Sequence, residues 1–267
     1  MARANRHHIP GQVWHITHRC HDREFLLKFA RDRRRWLHWL FESKKRCDLQ
    51  ILNYIVTSNH IHLLVLDGDE DVIPRSLQLT AGQTGEEYNR RKGRKGAFWD
   101  DRYHATAVET EKHFFRCLAY IDLNMVRANV VRHPSEWPFS GYNEIQNPPR
   151  RYSLIDRESL IWACAVEDDE HLRQQHRQLI EEALTSNSRK RQPEWTEAIA
   201  VGSKPFVQSI KEKLGLRASG RKLLEASGQF VLREPGAAYN DDLGTKSGLL
   251  SAENAFIWNV ESNKSAC

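Results

Sequence analysis

The sequence predicts an α+β fold: a ferredoxin-like βαββαβ sheet, one added helix, and a mainly helical C-terminal appendage. Three observations carry this. Short apolar segments alternate with two long amphipathic ones up to residue 108. The middle two short segments are joined by only Thr57-Ser58-Asn59, so they read as a hairpin. With 40% hydrophobic and 28% charged residues, the composition suits a soluble globular chain.

The elements follow in order. Residues 13–19 have the period of a strand, and His21-Asp22-Arg23 forms a turn after it. Residues 29–47 are helical, with Trp36, Leu37, Leu40 and Phe41 as the apolar stripe and Arg33, Arg34 and Arg35 on its rim. Strands at 49–56 and 61–66 precede a second helix at 72–88. A basic, glycine-bearing loop covers residues 90–96, and a short strand lies at 105–108. The added helix spans 111–128, with Thr110 as N-cap and Asn129 at the left-handed C-terminal position. Trp137-Pro138-Phe139-Ser140 closes against the core, and Asn147-Pro148-Pro149-Arg150 is the linker. The expected domains are therefore 1–147 and 148–267. Beyond the linker, helices are expected at 170–184 and 204–214, and the last twenty residues are expected to be loose.

No apolar run approaches the roughly 20 residues of a membrane span, and the basic start lacks the apolar stretch of a secretory signal. Five scattered cysteines, without a Cys-x-x-Cys pair, argue against disulfide and thiolate-zinc frameworks and point to a reducing cytoplasm. Charge is uneven. Residues 1–150 hold 24 Lys/Arg against 18 Asp/Glu, and the remainder 16 against 17, so a polyanion would meet the first half.

Two patterns carry chemistry. In His60-Ile61-His62, strand alternation sends both imidazoles to one face and Ile61 to the other. That is half a site for a divalent cation, or two polar residues on a solvated strand face. On the added helix, at about 100° per residue, His113, Arg116, Tyr120, Asn124 and Arg127 share one stripe, while Phe114, Leu118, Ile121 and Met125 lie opposite. Tyr120 thus belongs to a polar, basic stripe outside the core. Such a stripe is either amphipathic surface or a phenolic nucleophile presented to a phosphate held by arginines.

Together these segments resemble the HUH-type single-tyrosine transposases of bacterial insertion sequences and their REP-associated relatives. The resemblance runs from about His8 to Tyr142, roughly half the chain. It rests on Trp14-His15-Ile16-Thr17, Asn59-His60-Ile61-His62-Leu63-Leu64, Phe98-Trp99-Asp100-Asp101-Arg102-Tyr103, the run from Tyr120 to Val131, and Trp137-Pro138-Phe139-Ser140. It implies a ferredoxin-like catalytic domain, His60 and His62 as metal ligands, Asn124 as a third ligand, and Tyr120 as nucleophile. Relatives often have proline where this chain has Ser58, and Asn-Pro or glycine where it has Asn124-Met125 and Asn129. None of these departures removes a chemical group.

The implied function is DNA transposition by cleavage and rejoining of single-stranded or hairpin DNA through a 5′-phosphotyrosine, assisted by Mg²⁺ or Mn²⁺. Phosphate contacts are expected from Arg33, Arg34, Arg91, Lys92, Arg94, Lys95, Arg116 and Arg127. Trp99 is expected chiefly in the core. A homodimer remains open, no membrane partner is expected, and the role of the region after Arg150 does not follow from its residues. The alternative is a domesticated relative that binds such strands without cutting. A metallohydrolase fits less well, because the next acid, Asp67, lies five residues past His62.

Overall fold

The computed structural model describes residues 8–186, 192–226 and 228–233. The first half forms the expected βαββαβ order: β1 (Val13–Arg19), α1 (Ala30–Cys47), β2 (Gln50–Val56), β3 (His60–Leu66), α2 (Val72–Lys92) and β4 (His104–Val108). These strands lie in the order β2-β3-β1-β4, with every neighbouring pair antiparallel. Alternation gives the sheet two unlike faces. Trp14, Ile16, Ile61, Leu63 and Val65 project to one side and join a core that includes Trp36 and Leu40 of α1 and Ile73 and Leu77 of α2. His15, Thr17 and Arg19 share the other side with their cross-strand partners Leu64, His62 and His60.

That second face is covered by the added helix. It is interrupted: α3 (Lys112–Asp122) and α4 (Asn124–Arg127) meet at Leu123, whose ψ of 3° opens the turn. Its start differs from expectation. Glu111, at φ 62°, occupies the cap position without a side-chain cap bond, so Thr110 is not the N-cap. Asn129 does adopt the left-handed conformation, at φ 55°.

The remaining α-helices and strands among the described residues are α5 (Tyr142–Gln146), α6 (Arg157–Cys164), α7 (Asp169–Thr185), α8 (Glu194–Glu197), β5 (Ala200–Gly202), α9 (Lys204–Leu214), β6 (Lys222–Ala226) and β7 (Gln229–Arg233). The helices expected at 170–184 and 204–214 correspond to α7 and α9. The tail is less exclusively helical than its sequence reads. Its strand β5 pairs parallel to β4, and β7 and β6 extend the sheet to seven strands in the order β2-β3-β1-β4-β5-β7-β6. The linker at 147–150 is therefore no break in packing, because residues on both sides belong to one compact unit. The last twenty residues lie outside the described ones.

The helix α3 is tied in from both sides. A bulge in β2 between Ile51 and Asn53 re-aims Asn53, whose amide donates to Asp122 Oδ1 at 3.0 Å. Asp122 Oδ2 lies 2.7 Å from Nε2 of the fully buried His176 on α7. Gly141 passes so close that a Cβ there would sit 2.1 Å from Asn53 Oδ1, which explains the missing side chain. Ala119, Leu123 and Val126 pack with Ile180 of α7. Among the described residues, no helix is long and apolar enough to cross a membrane.

Candidate active site

The histidine pair sits on no solvated face. His62 is 2% exposed and His60 is half-buried, both beneath the α3–α4 junction. Each ring is held by its Nδ1. His60 Nδ1 lies 2.7 Å from the Asn59 side-chain oxygen and 3.0 Å from Thr57 Oγ1. An amide oxygen only accepts, so His60 carries its proton on Nδ1 and leaves Nε2 bare. His62 Nδ1 faces His15 Nε2 at 2.9 Å, and His15 Nδ1 faces the Trp195 carbonyl at 2.9 Å.

The two Nε2 atoms converge on one amide. Asn124 Nδ2 lies 3.1 Å from His62 Nε2 and 3.5 Å from His60 Nε2. Here the amide nitrogen donates toward two lone pairs. Turning the amide over would present Oδ1 at the same place, making a two-nitrogen, one-oxygen donor set. The chemistry of these atoms fits a small divalent cation.

Burial, then neighbouring positive charge, keeps the rings neutral. His60 is pulled down to about 3, with Arg19 and Arg127 adding to the effect of burial. His62 is held well below the ordinary histidine value by burial, then by His60 and His15. His15 falls to about 3, chiefly through burial. Neutral imidazole is the ligand form.

Tyr120 joins the same cluster. Its ring centroid lies 5.7 Å from that of His62, 6.0 Å from His15 and 6.3 Å from Trp195. The Arg127 guanidinium sits 4.2 Å from the ring centroid and donates to the Tyr120 carbonyl at 2.6 Å. This corrects the expectation that Tyr120 lies outside the core. It is 7% exposed and part of the main apolar cluster. Tyr120 and Asn124 of that stripe face the sheet histidines, while Ala119 and Leu123 meet α7. Isolated-helix periodicity sees one buried face, and this helix has two.

The expected phosphate contacts divide. Arg33 is 8% exposed, lies 4.7 Å and 4.5 Å from the Trp137 and Phe139 ring centroids, and donates to the carbonyls of Leu27 and Lys28. Burial pulls it down to about 10. It is a structural residue, contrary to expectation, because the turn before α1 needs its donors. The basic stretch is not wholly loop either, since 90–92 form the last turn of α2 and Gly93 caps it at φ 60°. Arg91 pairs with Asp32, and Arg94 bonds the Ala97 carbonyl at 2.8 Å. Arg34, Lys92 and Lys95 are exposed, and Arg116 is half-buried on α3. Trp99 is packed as expected, stacked on His18 at 4.2 Å, with its indole N–H on the Ala81 carbonyl.

Three contributors were not singled out from sequence. His15 and Arg19 were findable, because they alternate on the strand face opposite His62 and His60. Trp195 was not, since 180 residues separate it from His15. Elsewhere, His21, Asp22 and Asp100 form a surface group of metal-type ligands with two exposed acids.

The chain is similar to known proteins over part of its length. Residues 10–124 match the family described as "Transposase IS200 like". A REP-associated tyrosine transposase of Escherichia coli (strain K12) is 23% identical over 145 residues, covering 54% of this chain and 84% of the relative. A solved structure of a REP-associated tyrosine transposase bound to a REP hairpin is similar at 23% identity and TM-score 0.45, covering 54% of this chain and 84% of that one. The matched part, residues 10–124, runs from the approach to β1 through Tyr120 to Asn124, and over it the chain is similar to that family.

Proposed function

We propose that this chain is a DNA transposase that cleaves and rejoins single-stranded or hairpin DNA through a 5′-phosphotyrosine on Tyr120. The observation that carries the reading is the convergence of His60 Nε2, His62 Nε2 and the Asn124 amide beside the Tyr120 ring. His60, His62 and Asn124 would hold a divalent cation, Mg²⁺ or Mn²⁺, which when bound polarises a phosphate oxygen. The three donors carry no negative charge, so affinity for the cation should rise when DNA phosphate joins them.

The chain's own residues do the rest. Arg127 and Arg19 bring positive charge to the side where a scissile phosphate would lie. The Tyr120 oxygen attacks phosphorus, the bond to the 3′ oxygen breaks, the phenolic proton leaves to solvent, and the 3′ oxygen takes one up. The phosphodiester's bond energy is kept in the tyrosyl ester, so rejoining needs no ATP. That economy favours a tyrosine over water in an enzyme that must reseal what it cuts.

The 7% exposure of Tyr120 favours a second reading, a relative that binds hairpin DNA without cutting. One experiment separates the two. Labelled single-stranded substrate with Mn²⁺ should give a slow-migrating adduct on denaturing gels with the wild type and none with Tyr120→Phe, which should still bind DNA. Tight wild-type binding without an adduct selects the second reading. An adduct that persists in Tyr120→Phe moves the nucleophile to another tyrosine.

A further inference from the structure

The region after residue 147 reaches His15 through the Trp195 carbonyl. We infer that the Trp195 carbonyl, acting through His15, sets the tautomer of His62 and so decides which nitrogen His62 offers to a cation. This rests on the reading of His60 and His62 as ligands, but its central claim concerns protons in the metal-free protein.

The chain of logic is short. A carbonyl oxygen only accepts hydrogen bonds, so the 2.9 Å contact from Trp195 requires the proton of His15 on Nδ1. His15 Nε2 then has only a lone pair, and the 2.9 Å contact to His62 requires His62 Nδ1 to donate. His62 Nε2 is left bare, 3.1 Å from Asn124. Remove the carbonyl and either tautomer of His15 is open. One of the two would demand an acceptor at His62 Nδ1 and put a proton on the nitrogen facing Asn124, which could not then bind a cation.

The tail holds this carbonyl firmly. Trp195 and His15 are both fully buried. The Trp195 indole donates to Gln192 Oε1 at 2.8 Å. Thr106 on β4 reaches the carbonyls of Trp195 at 3.3 Å and Ala198 at 2.6 Å, and His104 Nε2 lies 3.0 Å from that of Ala198. Two residues later β5 pairs with β4. His15 spends both ring nitrogens in the relay, so it is a positioning residue and not a third imidazole ligand.

The test uses the full chain. In metal-free wild-type protein, two-bond ¹⁵N–¹H correlations should show His15 and His62 both protonated at Nδ1. A His62 protonated at Nε2 would overturn the proposal. His15→Phe keeps a ring and removes the relay. It should weaken Mn²⁺ binding, read by electron paramagnetic resonance without DNA, by about 10- to 100-fold. His15→Gln retains a donor and an acceptor and should recover most of that loss. If His15→Phe does not fold, the wild-type tautomers and His15→Gln still decide. Equal Mn²⁺ affinity in wild type and folded His15→Phe would overturn the proposal. Mn²⁺ binding unaffected by His60→Ala and His62→Ala would instead overturn the ligand reading, while the tautomer measurement continues to judge the relay.

Discussion

On the sheet face that carries His15, His60 and His62, His15 uses both ring nitrogens on neighbours, whereas His60 and His62 each use one and point the other, bare, at Asn124. Along the edge formed by α1 and α2, a cleft lined by Arg31, Arg35, Arg90 and Arg91 is richer in charge and poorer in capacity. Arg35 is bound to Glu87 at 2.6 Å and 2.8 Å, and Arg91 to Asp32. Arg33, beside them on α1, is stacked between aromatic rings. Capacity to act on a ligand is set by valences left over after folding, not by the density of functional groups. The histidine face leaves two lone pairs over. The arginine edge leaves few donors.

The comparison can be broken at its strongest point first. His62→Ala or His60→Ala should abolish cleavage of single-stranded substrate while leaving DNA binding within a few-fold of wild type. Full cleavage by either variant in Mg²⁺ would show that the convergent nitrogens are not the metal site.

Arg33→Ala comes next, and it should act on stability. It strips the donor from two carbonyls and removes the cation from the Trp137–Phe139 pair. The expected loss is about 2–4 kcal/mol in urea unfolding. A folded, equally stable variant with weakened DNA binding would return Arg33 to the phosphate-contact group.

Smaller effects are expected from the exposed cations Arg34, Lys92 and Lys95. Replacing each with Gln should leave stability unchanged and flatten the dependence of single-strand affinity on salt, by about 0.7 in log–log slope per lost contact. An unchanged slope would make this edge plain solvated surface.

The smallest effect concerns the Arg35–Glu87 pair. The Arg35 hydrogen bond holds the Glu87 carboxyl below its ordinary value of 4.5. A carboxyl lowered by folding stabilises the protein above its unfolded value, and that contribution is lost as pH falls through the folded value. Both partners are partly exposed, so the gain is well under about 1 kcal/mol. Stability curves of wild type and Arg35→Gln should therefore differ slightly at pH 7 and converge toward pH 3. Parallel curves would show that the pair contributes nothing.

Much of the architecture was legible because it is local. Period-two alternation in 13–19 and 60–66, and the three-residue turn between β2 and β3, fix strands and hairpin before any tertiary contact forms. The same alternation puts His60 and His62 on one face, and helical spacing puts Asn124 one turn past Tyr120. Periodicity gave these residues as two separate pairs, and the resemblance to the HUH-type transposases joined them into one site.

What only the tertiary structure decided is everything set by who covers whom. A helical wheel cannot register that α3 has the sheet on one side and α7 on the other, so Tyr120 was placed outside the core it belongs to. A run of arginines carries no sign of the carboxylates and carbonyls that will occupy it, as Asp32, Glu87 and Leu27 do here. The Trp195 carbonyl is the extreme case. A backbone oxygen is chemically the same at every residue, so only the fold, by laying β5 against β4, could select this one to orient a histidine 180 positions earlier.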